Sequence, residues 1–253
     1  MTQAQNRWVT QPADAPASGG GHELPPVSSL EVVYNSDPGL MRAVVPPPLT
    51  LADDASVHLR FTDIDLDFGA VKWKEHVGWF GVDVTHDGVR GEYPLLIPID
   101  LESAIAISRE RHGEPKKLAE IAIERDVEQV RASMTREGIT FAEVAGTVTG
   151  ALPVPDQYET RQFWFKFMPA VSGHGFDGDV LLVRVDQVRT PVTVEAVDAK
   201  VVLRDLASAP LADLPVEELV SVTWTTRRAS TAPHVVGPVD PVAFEPYSAA
   251  RYG

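Results

Sequence analysis

Extended, β-branched segments separated by glycine turns run through most of the chain, and this pattern limits the folds that it can adopt. The alternating stretch VHLRFTDIDLDF at 57–68 is typical of a strand with one buried face. Asp87-Gly88 and Glu137-Gly138 each separate two extended runs, which predicts hairpin turns. Helical patterns are few, namely DPGLMRAVV, LESAIAISRERHG and LADLPVEELVSV near 211–222. The sequence therefore predicts a mainly β or α+β fold, a large antiparallel β-barrel-like sheet with a few peripheral helices.

The two ends of the chain differ in composition from its middle. Residues 11–26 are rich in proline, glycine, alanine and serine, so they cannot build a core and predict a flexible N-terminal arm over 1–26. The segment from Thr231 onward is rich in proline, which predicts an extended C-terminal tail over 231–253. A single domain is expected between them, over 27–230.

The net charge of −14, from 36 acidic and 22 basic residues, opposes binding to the phosphate backbone of nucleic acids. No run of 18 apolar residues is present, so no membrane-spanning helix is predicted. Cysteine is absent, which excludes disulfides, and the histidines have no metal-ligand spacing. We therefore expect a cytoplasmic protein without a metal site and without nucleic-acid or membrane partners.

Lysine is scarce in this sequence, with six in all, and two of them are adjacent at Lys116-Lys117. A free lysine has a pKa of about 10.4, so at neutral pH it is an ammonium that cannot attack a carbonyl. Enzymes that use lysine as a nucleophile lower that pKa by burial or by a nearby like charge. Adjacent lysines can supply both effects, but on a strand their side chains point to opposite faces. By itself such a pair is more often an exposed surface feature than a site.

The surroundings of the lysine pair carry more information than the pair itself. AIAISRERHGEPKKLAEI at 104–121 resembles the signature of the acetoacetate decarboxylase family, roughly A-I-A-x-G-R-E followed after a short spacer by P-K-K-L. Four other family-like segments occur in the family's order: YNSDPGLMRAVVPPPL at 34–49, Trp73-Lys74-Glu75, GVRGEY at 88–93 and APLADLPVEELVS at 209–221. Five ordered segments cover most of residues 30–222, and on them the chain is identified as a member of this superfamily.

The resemblance implies a role for three residues. Lys116, the first lysine of P-K-K, corresponds to the Schiff-base nucleophile, Lys117 to its neighbour, and Glu75 to an active-site acid. Acetoacetate decarboxylase is a known case of a lysine activated by desolvation or by an adjacent cation. The resemblance also implies a homo-oligomer that needs no metal or organic cofactor and acts on a small keto acid or another carbonyl substrate. An iminium at the lysine accepts electrons when a neighbouring C–C bond breaks, and an acid such as Glu75 moves the protons.

Four positions depart from the family pattern, the mildest being Ser108 in place of the glycine of G-R-E. Val27 stands where the decarboxylases carry an arginine, Thr62 where they carry a glutamate, and Glu114 where an aromatic residue precedes the proline. A carboxylate at Glu114 stabilises the ammonium of Lys116 unless it points away. The leading prediction is therefore a cofactor-independent lyase that removes CO₂ from a small keto acid. A Schiff-base aldolase-dehydratase and a non-catalytic small-ligand binding protein on the same fold remain as alternatives.

Four further residues are candidates for substrate binding: Trp73, Trp164, Arg109 and Glu110. Trp73 lies two residues before Glu75, where an apolar pocket wall raises the pKa of an acid. Trp164 belongs to an aromatic stripe that is more often core than pocket. For Arg109-Glu110, an internal ion pair that orients the lysine loop is favoured over direct catalysis.

Overall fold

The structure, a computed structural model, describes residues 26–67 and 72–252. All but the last residue of the predicted arm over 1–26 lies outside this range. The strands in the described residues are β1 (Val27–Asn35), β2 (Thr50–Leu51), β3 (Val57–Asp67), β4 (Lys72–His86), β5 (Val89–Ile99), β6 (Lys116–Leu118), β7 (Glu120–Asp126), β8 (Gln129–Arg136), β9 (Ile139–Ala151), β10 (Tyr158–Lys166), β11 (Leu181–Leu203) and β12 (Glu218–Pro238). The α-helices are α1 (Pro38–Ala43), α2 (Glu102–His112) and α3 (Pro241–Ser248), and two 3₁₀ turns span Leu211–Asp213 and Ala249–Arg251.

All twelve strands belong to one sheet, with the main order β10-β5-β4-β3-β1-β12-β11-β9-β8-β7. Strand β10 pairs with β11 as well as with β5, so seven strands form a closed ring: β10, β5, β4, β3, β1, β12 and β11. Within this ring only the short β10–β5 contact is parallel. The predicted hairpin turns at Asp87-Gly88 and Glu137-Gly138 join β4 to β5 and β8 to β9, with positive φ at both residues of each turn. The mainly β fold with a large sheet and few helices is confirmed.

Alternation of side chains along the strands builds the core. On β1, Leu30, Val32 and Tyr34 point to the same side and are fully buried, as the period of two requires. The hydroxyl of Tyr34 donates a hydrogen bond of 2.8 Å to the carbonyl of Leu214, so the one polar atom of this side chain is satisfied. The same alternation on β3 places Leu59 and Phe61 beside them on that face of the sheet.

Two sequence expectations about the C-terminal part need revision. The helix predicted near 211–222 is a single 3₁₀ turn at Leu211–Asp213, after which β12 begins at Glu218. Pro215 disfavours helical backbone at the residue before it, and pairing with β1 and β11 draws the next residues into the sheet. The tail expected over 231–253 holds the second half of β12, paired with β11, and then α3. No helix among the described residues has the length and apolar character needed to cross a bilayer.

Candidate active site

A cavity of about 320 Å³ lies within the ring of strands. Side chains from all seven ring strands line it, together with His112 at the end of α2 and with Glu114 and Lys116 from the segment that follows. The volume suits a small organic molecule, and ligand pockets are commonly found in the interior of closed sheets.

Backbone pairing fixes Lys116 at the wall of this cavity. Lys116 lies on β6, which pairs in parallel with β5, and Ile97 of β5 is its partner in the register. The Lys116 Nζ donates a hydrogen bond of 3.0 Å to Ser108 Oγ, on the last turn of α2. The Oε2 of Glu114 lies 3.0 Å from the same Nζ. Glu114 therefore points toward the lysine, and the amine is held between a hydroxyl and a carboxylate.

Gly113 makes the sharp turn from α2 into the lysine segment. Its φ of 87° is left-handed, and its N–H bonds to the carbonyls of Ser108 and Arg109, a common helix ending. A Cβ at this position would lie 2.5 Å from the carbonyl oxygen of Phe165 and 2.7 Å from Lys166 Cα, both on the neighbouring backbone. Glycine is therefore required here for two reasons, the backbone conformation and the close approach of β10.

We expect Gly113→Ala to lower the free energy of unfolding by about 3 kcal/mol, since left-handed strain and a backbone clash add. Gly138→Ala is the matched control, because Gly138 has a φ of 76° but nothing within 4 Å of its added Cβ. That variant should lose only about 1 kcal/mol. Chemical denaturation of both proteins measures the difference. Equal losses in the free energy of unfolding would show that the close approach of Phe165 does not destabilise Gly113→Ala.

The C-terminal residues fasten the lysine segment from outside. The Arg251 guanidinium donates to the carbonyl of Gly113 at 2.6 Å and to the carbonyl of Phe165. Arg109 in turn donates to the carbonyl of Arg251, and its guanidinium lies 5.0 Å from the ring centroid of Tyr252. The lysine segment, β10 and the chain end are thus held as one unit.

Arg109 and Glu110 were predicted to bind substrate, but they lie outside the cavity that contains Lys116. Both lie in a surface depression beside Tyr252, and neither lines the cavity that contains Lys116. Glu110 is exposed and forms no ion pair with Arg109, so the predicted internal pair is wrong. Arg109 still acts on the lysine loop, but through the C-terminal residues.

Lys117 lies on the opposite face of β6 from Lys116. Its Nζ donates a hydrogen bond of 2.8 Å to the carbonyl of Ser208, and it borders a separate cavity of about 250 Å³. Burial, reinforced by the nearby charges of Arg136 and Arg109, lowers the pKa of Lys117 to about 8. Alternation along the strand therefore separates the two amines, and the dipeptide contributes one of them to the cavity.

Two other predicted residues share the cavity with Lys116. Glu75 lies on β4, is 9% exposed and faces the cavity from the position opposite Ile64. Trp164 lines the cavity from β10 and is 7% exposed. The side chain of Trp73 lies outside the part of the chain that the structure describes. The structure thus brings together a lysine, an acid and an aromatic wall.

Comparison with known proteins agrees with this arrangement. The family model described as acetoacetate decarboxylase (ADC) matches residues 10–237. The chain belongs to the acetoacetate decarboxylase family. It is 30% identical over 223 residues to an acetoacetate decarboxylase from Streptomyces nogalater, covering 85% of this chain and 88% of that protein. It is 28% identical over 227 residues to one from Clostridium beijerinckii, covering 86% and 89%.

Solved structures show how widely this fold is shared. The acetoacetate decarboxylase of Legionella pneumophila matches with a TM-score of 0.76 at 19% identity, over 90% of this chain and 93% of that one. The enduracididine biosynthesis enzyme MppR, complexed with pyruvate, matches with a TM-score of 0.69 at 15% identity, over 90% and 95%. At these identities the likeness establishes the acetoacetate decarboxylase-like fold.

Three of the four departures predicted from the sequence line the cavity, and the fourth, Ser108, accepts a hydrogen bond from the lysine amine. Val27, the position predicted to replace the family arginine, lines the cavity, and its Cα partner across the β1–β12 pair is Arg227, which lines it too. Thr62, the position predicted to replace the family glutamate, shares a hydrogen bond of 2.9 Å with Ser29. A positive charge therefore stands directly across the strand pair from Val27.

Three arginines of the cavity wall were not anticipated from the sequence: Arg60, Arg189 and Arg227. Arg60 hydrogen-bonds to Glu92 and Arg227 to Glu31. Burial opposes ionisation of Glu31, but the charges of Arg227, Arg60 and Arg189 outweigh it and hold its pKa below the usual range. The pKa of Glu92 is lowered in the same way, against burial, chiefly by Arg60. Both carboxylates are therefore ionised at neutral pH.

Proposed function

We propose that this member of the acetoacetate decarboxylase family is a lyase that forms a Schiff base between Lys116 and a small keto acid, and releases CO₂. The observation that carries the proposal is the position of the Lys116 amine, in a cavity of about 320 Å³ and within 3.0 Å of both Ser108 Oγ and Glu114 Oε2. Glu75 lines the same cavity. Relatives at up to 30% identity are named acetoacetate decarboxylase, which supports the reaction class.

The chemistry follows from these groups. The neutral amine of Lys116 adds to the ketone, and loss of water gives a protonated imine. The electrons of the bond to the leaving carboxylate then move to the imine nitrogen, so CO₂ departs and an enamine remains. A proton delivered to the enamine carbon and hydrolysis of the resulting imine release the ketone product and restore the amine. Glu75 supplies the carbon-bound proton, and Glu114 holds the proton exchanged at the amine.

A second candidate is a Schiff-base aldolase-dehydratase. It is favoured by Val27 and Thr62, which replace the arginine and glutamate of the family's decarboxylases. MppR shares the fold and has been captured with the condensation product of pyruvate and imidazole 4-carboxaldehyde. An enamine that adds to an aldehyde and then loses water would use the same lysine and the same acid. The ion pair between Glu114 and Lys116 is the observation that favours a third, non-catalytic ligand-binding role.

Borohydride reduction in the presence of acetoacetate, longer 3-oxo acids or pyruvate tests the proposal. We expect mass spectrometry to find the reduced adduct on Lys116, and a CO₂ assay to detect release from at least one 3-oxo acid. Adducts with pyruvate plus condensation with aldehydes, and no CO₂ release, would favour the aldolase-dehydratase. No adduct with any carbonyl compound would remove both enzymes and leave the binding role.

We expect Glu114→Gln to slow borohydride trapping at Lys116 by about 10²-fold. The reason is that the carboxylate 3.0 Å from the amine exchanges the proton during imine formation, which an amide cannot do. A neutral ketone such as acetone is the probe, since it carries no charge for the carboxylate to repel. Glu120→Gln, at an exposed position on β7, is the control and should leave the trapping rate unchanged. An unchanged rate in Glu114→Gln would show that this carboxylate does not exchange the proton at the amine.

A further inference from the structure

Positive charge exceeds negative charge in the part of the cavity wall that carries the three arginines. The guanidiniums of Arg60, Arg189 and Arg227 line the cavity, and the two ionised carboxylates behind them belong to Glu31 and Glu92. Arg60 is bound to Glu92 and Arg227 to Glu31. The third arginine, Arg189, has no carboxylate within ion-pair distance in the described residues. This group of five therefore carries one positive charge in excess.

Arg189 is held in place by a neutral partner. Its Nε and Nη2 both donate to Gln187 Oε1, at 3.2 and 3.0 Å. The residue is 5% exposed. An arginine cannot shed its proton inside a protein, so burial leaves a full charge that only an anion or water can compensate. The planar guanidinium is well suited to a carboxylate, which it binds through two parallel hydrogen bonds.

Glu75, the acid of the proposed reaction, lies at a distance from the three arginines along the cavity wall. On β3, the cavity-lining residues are Arg60, Thr62 and Ile64, and their partners on β4 are Trp79, Val77 and Glu75. Arg60 and Ile64 are four residues apart, so Glu75 is displaced from Arg60 by about 13 Å along the strand direction. Neutral side chains, Thr62 and Val77, occupy the wall between them. The cavity is thus polarised, with excess positive charge at one end of this wall.

Such a cluster would not assist the departing carboxylate itself. A guanidinium clamped on the group that leaves as CO₂ stabilises the charged ground state more than the transition state, in which that charge is lost, and so slows the step. A fixed cation in this cavity is useful for an anionic group that stays on the substrate throughout the reaction.

We infer that the substrate carries an anionic group remote from its ketone, and that Arg189, flanked by Arg227 and Arg60, binds it. For the decarboxylation this means a 3-oxo dicarboxylic acid, which loses one carboxylate and keeps the other on the arginines. The inference rests on the proposed function, because it assumes that the ketone reacts at Lys116.

Matched ketones that differ only in charge test the inference. The probes are 4-oxopentanoate against 4-oxopentanamide, and 5-oxohexanoate against 5-oxohexanamide, each trapped on Lys116 with borohydride over a range of concentrations. We expect at least one carboxylate to reach half-maximal trapping at a concentration about tenfold lower than its amide. Arg189→Gln should abolish that preference, and Arg189→Lys should restore much of it.

The control variant is Arg184→Gln, because Arg184 is on the same strand, points to the other face and pairs with Asp186. It should keep the full preference for the carboxylate. Equal trapping of acid and amide by the unmodified protein, or a preference that survives in Arg189→Gln, would overturn the inference while leaving the Schiff-base chemistry intact.

Pentanoate and pentanamide, which have no ketone, separate the two proposals. Calorimetric titration should show pentanoate binding that is about tenfold weaker in Arg189→Gln and unchanged in Arg184→Gln. If no ketone is trapped but this dependence holds, the proposed reaction fails and the anion site stands. If ketones are trapped but pentanoate binds no better than pentanamide, the anion site fails and the reaction stands.

Discussion

Lys116→Arg is expected to abolish borohydride trapping of keto acids and to lower turnover by at least about a thousandfold. Arginine keeps the positive charge and can still pair with Glu114, which lies 3.0 Å from the lysine Nζ. A guanidinium does not lose its proton in proteins, so it offers no lone pair to a ketone. The variant therefore removes the nucleophile and preserves the electrostatics. Mass spectrometry of the reduced protein and a CO₂ assay give the two measurements.

Lys117→Arg is the matched control, since Lys117 is the adjacent residue on the opposite face of β6 and bonds to the carbonyl of Ser208. This variant should retain trapping at Lys116 within a factor of about three, because the cavity wall is unchanged. Thermal unfolding of both variants checks that each remains folded. Adducts on Lys117, or full turnover in Lys116→Arg, would show that Lys116 is not the nucleophile.

The fold was largely predictable because its elements are specified locally. Alternation on β3 and the two hairpin turns at Asp87-Gly88 and Glu137-Gly138 depend on neighbouring residues alone. The structure of the segment at 211–222 was not predictable, since the spacing of its apolar residues is also typical of a helix. There the outcome depends on hydrogen bonds to β1, which lies almost 200 positions earlier in the chain. Long-range pairing overrode the local pattern, as it often does for strands.

The site was predictable in part for the same reason. Lys116 and Glu75 were found through motifs of consecutive residues, and both line the cavity. Arg60, Arg189 and Arg227 lie on three different strands, and no local motif joins them. Their meeting depends on the register of β3, β11 and β12, which a single sequence does not show. A cue existed, since each arginine lies within a strand-like run, where an inward charge requires a partner.

The C-terminal residues illustrate a second limit. Their proline content predicted an extended tail, yet Arg251 is 6% exposed and bonds to the carbonyls of Gly113 and Phe165. Composition reports which residues cannot build a core of their own. It does not report that one buried cation can satisfy carbonyl groups of a distant turn. The link from Arg251 to Arg109 gives α2 a second connection to the lysine segment, besides the hydrogen bond from Lys116 Nζ to Ser108 Oγ.

Glu75→Gln is expected to lower turnover by about 10²- to 10⁴-fold, the usual contribution of a positioned acid or base. The amide fills nearly the same space in the cavity wall opposite Ile64, but it cannot exchange a proton at neutral pH. Trapping at Lys116 should fall far less than turnover, because imine formation also has Glu114 within 3.0 Å of the amine. Parallel assays of trapping and of product formation measure the two steps.

Asp65→Asn is the control for this variant, since Asp65 is an exposed acid that pairs with Lys74 in the same β3–β4 register and is absent from the cavity wall. It should change neither step. If trapping and turnover fall equally in Glu75→Gln, Glu75 acts before the imine exists, as the proton donor that expels water. If turnover alone falls, Glu75 acts on the enamine carbon. Turnover that stays at the unmodified rate would leave Glu114, whose Oε2 lies 3.0 Å from the amine, as the acid for the proton transfers.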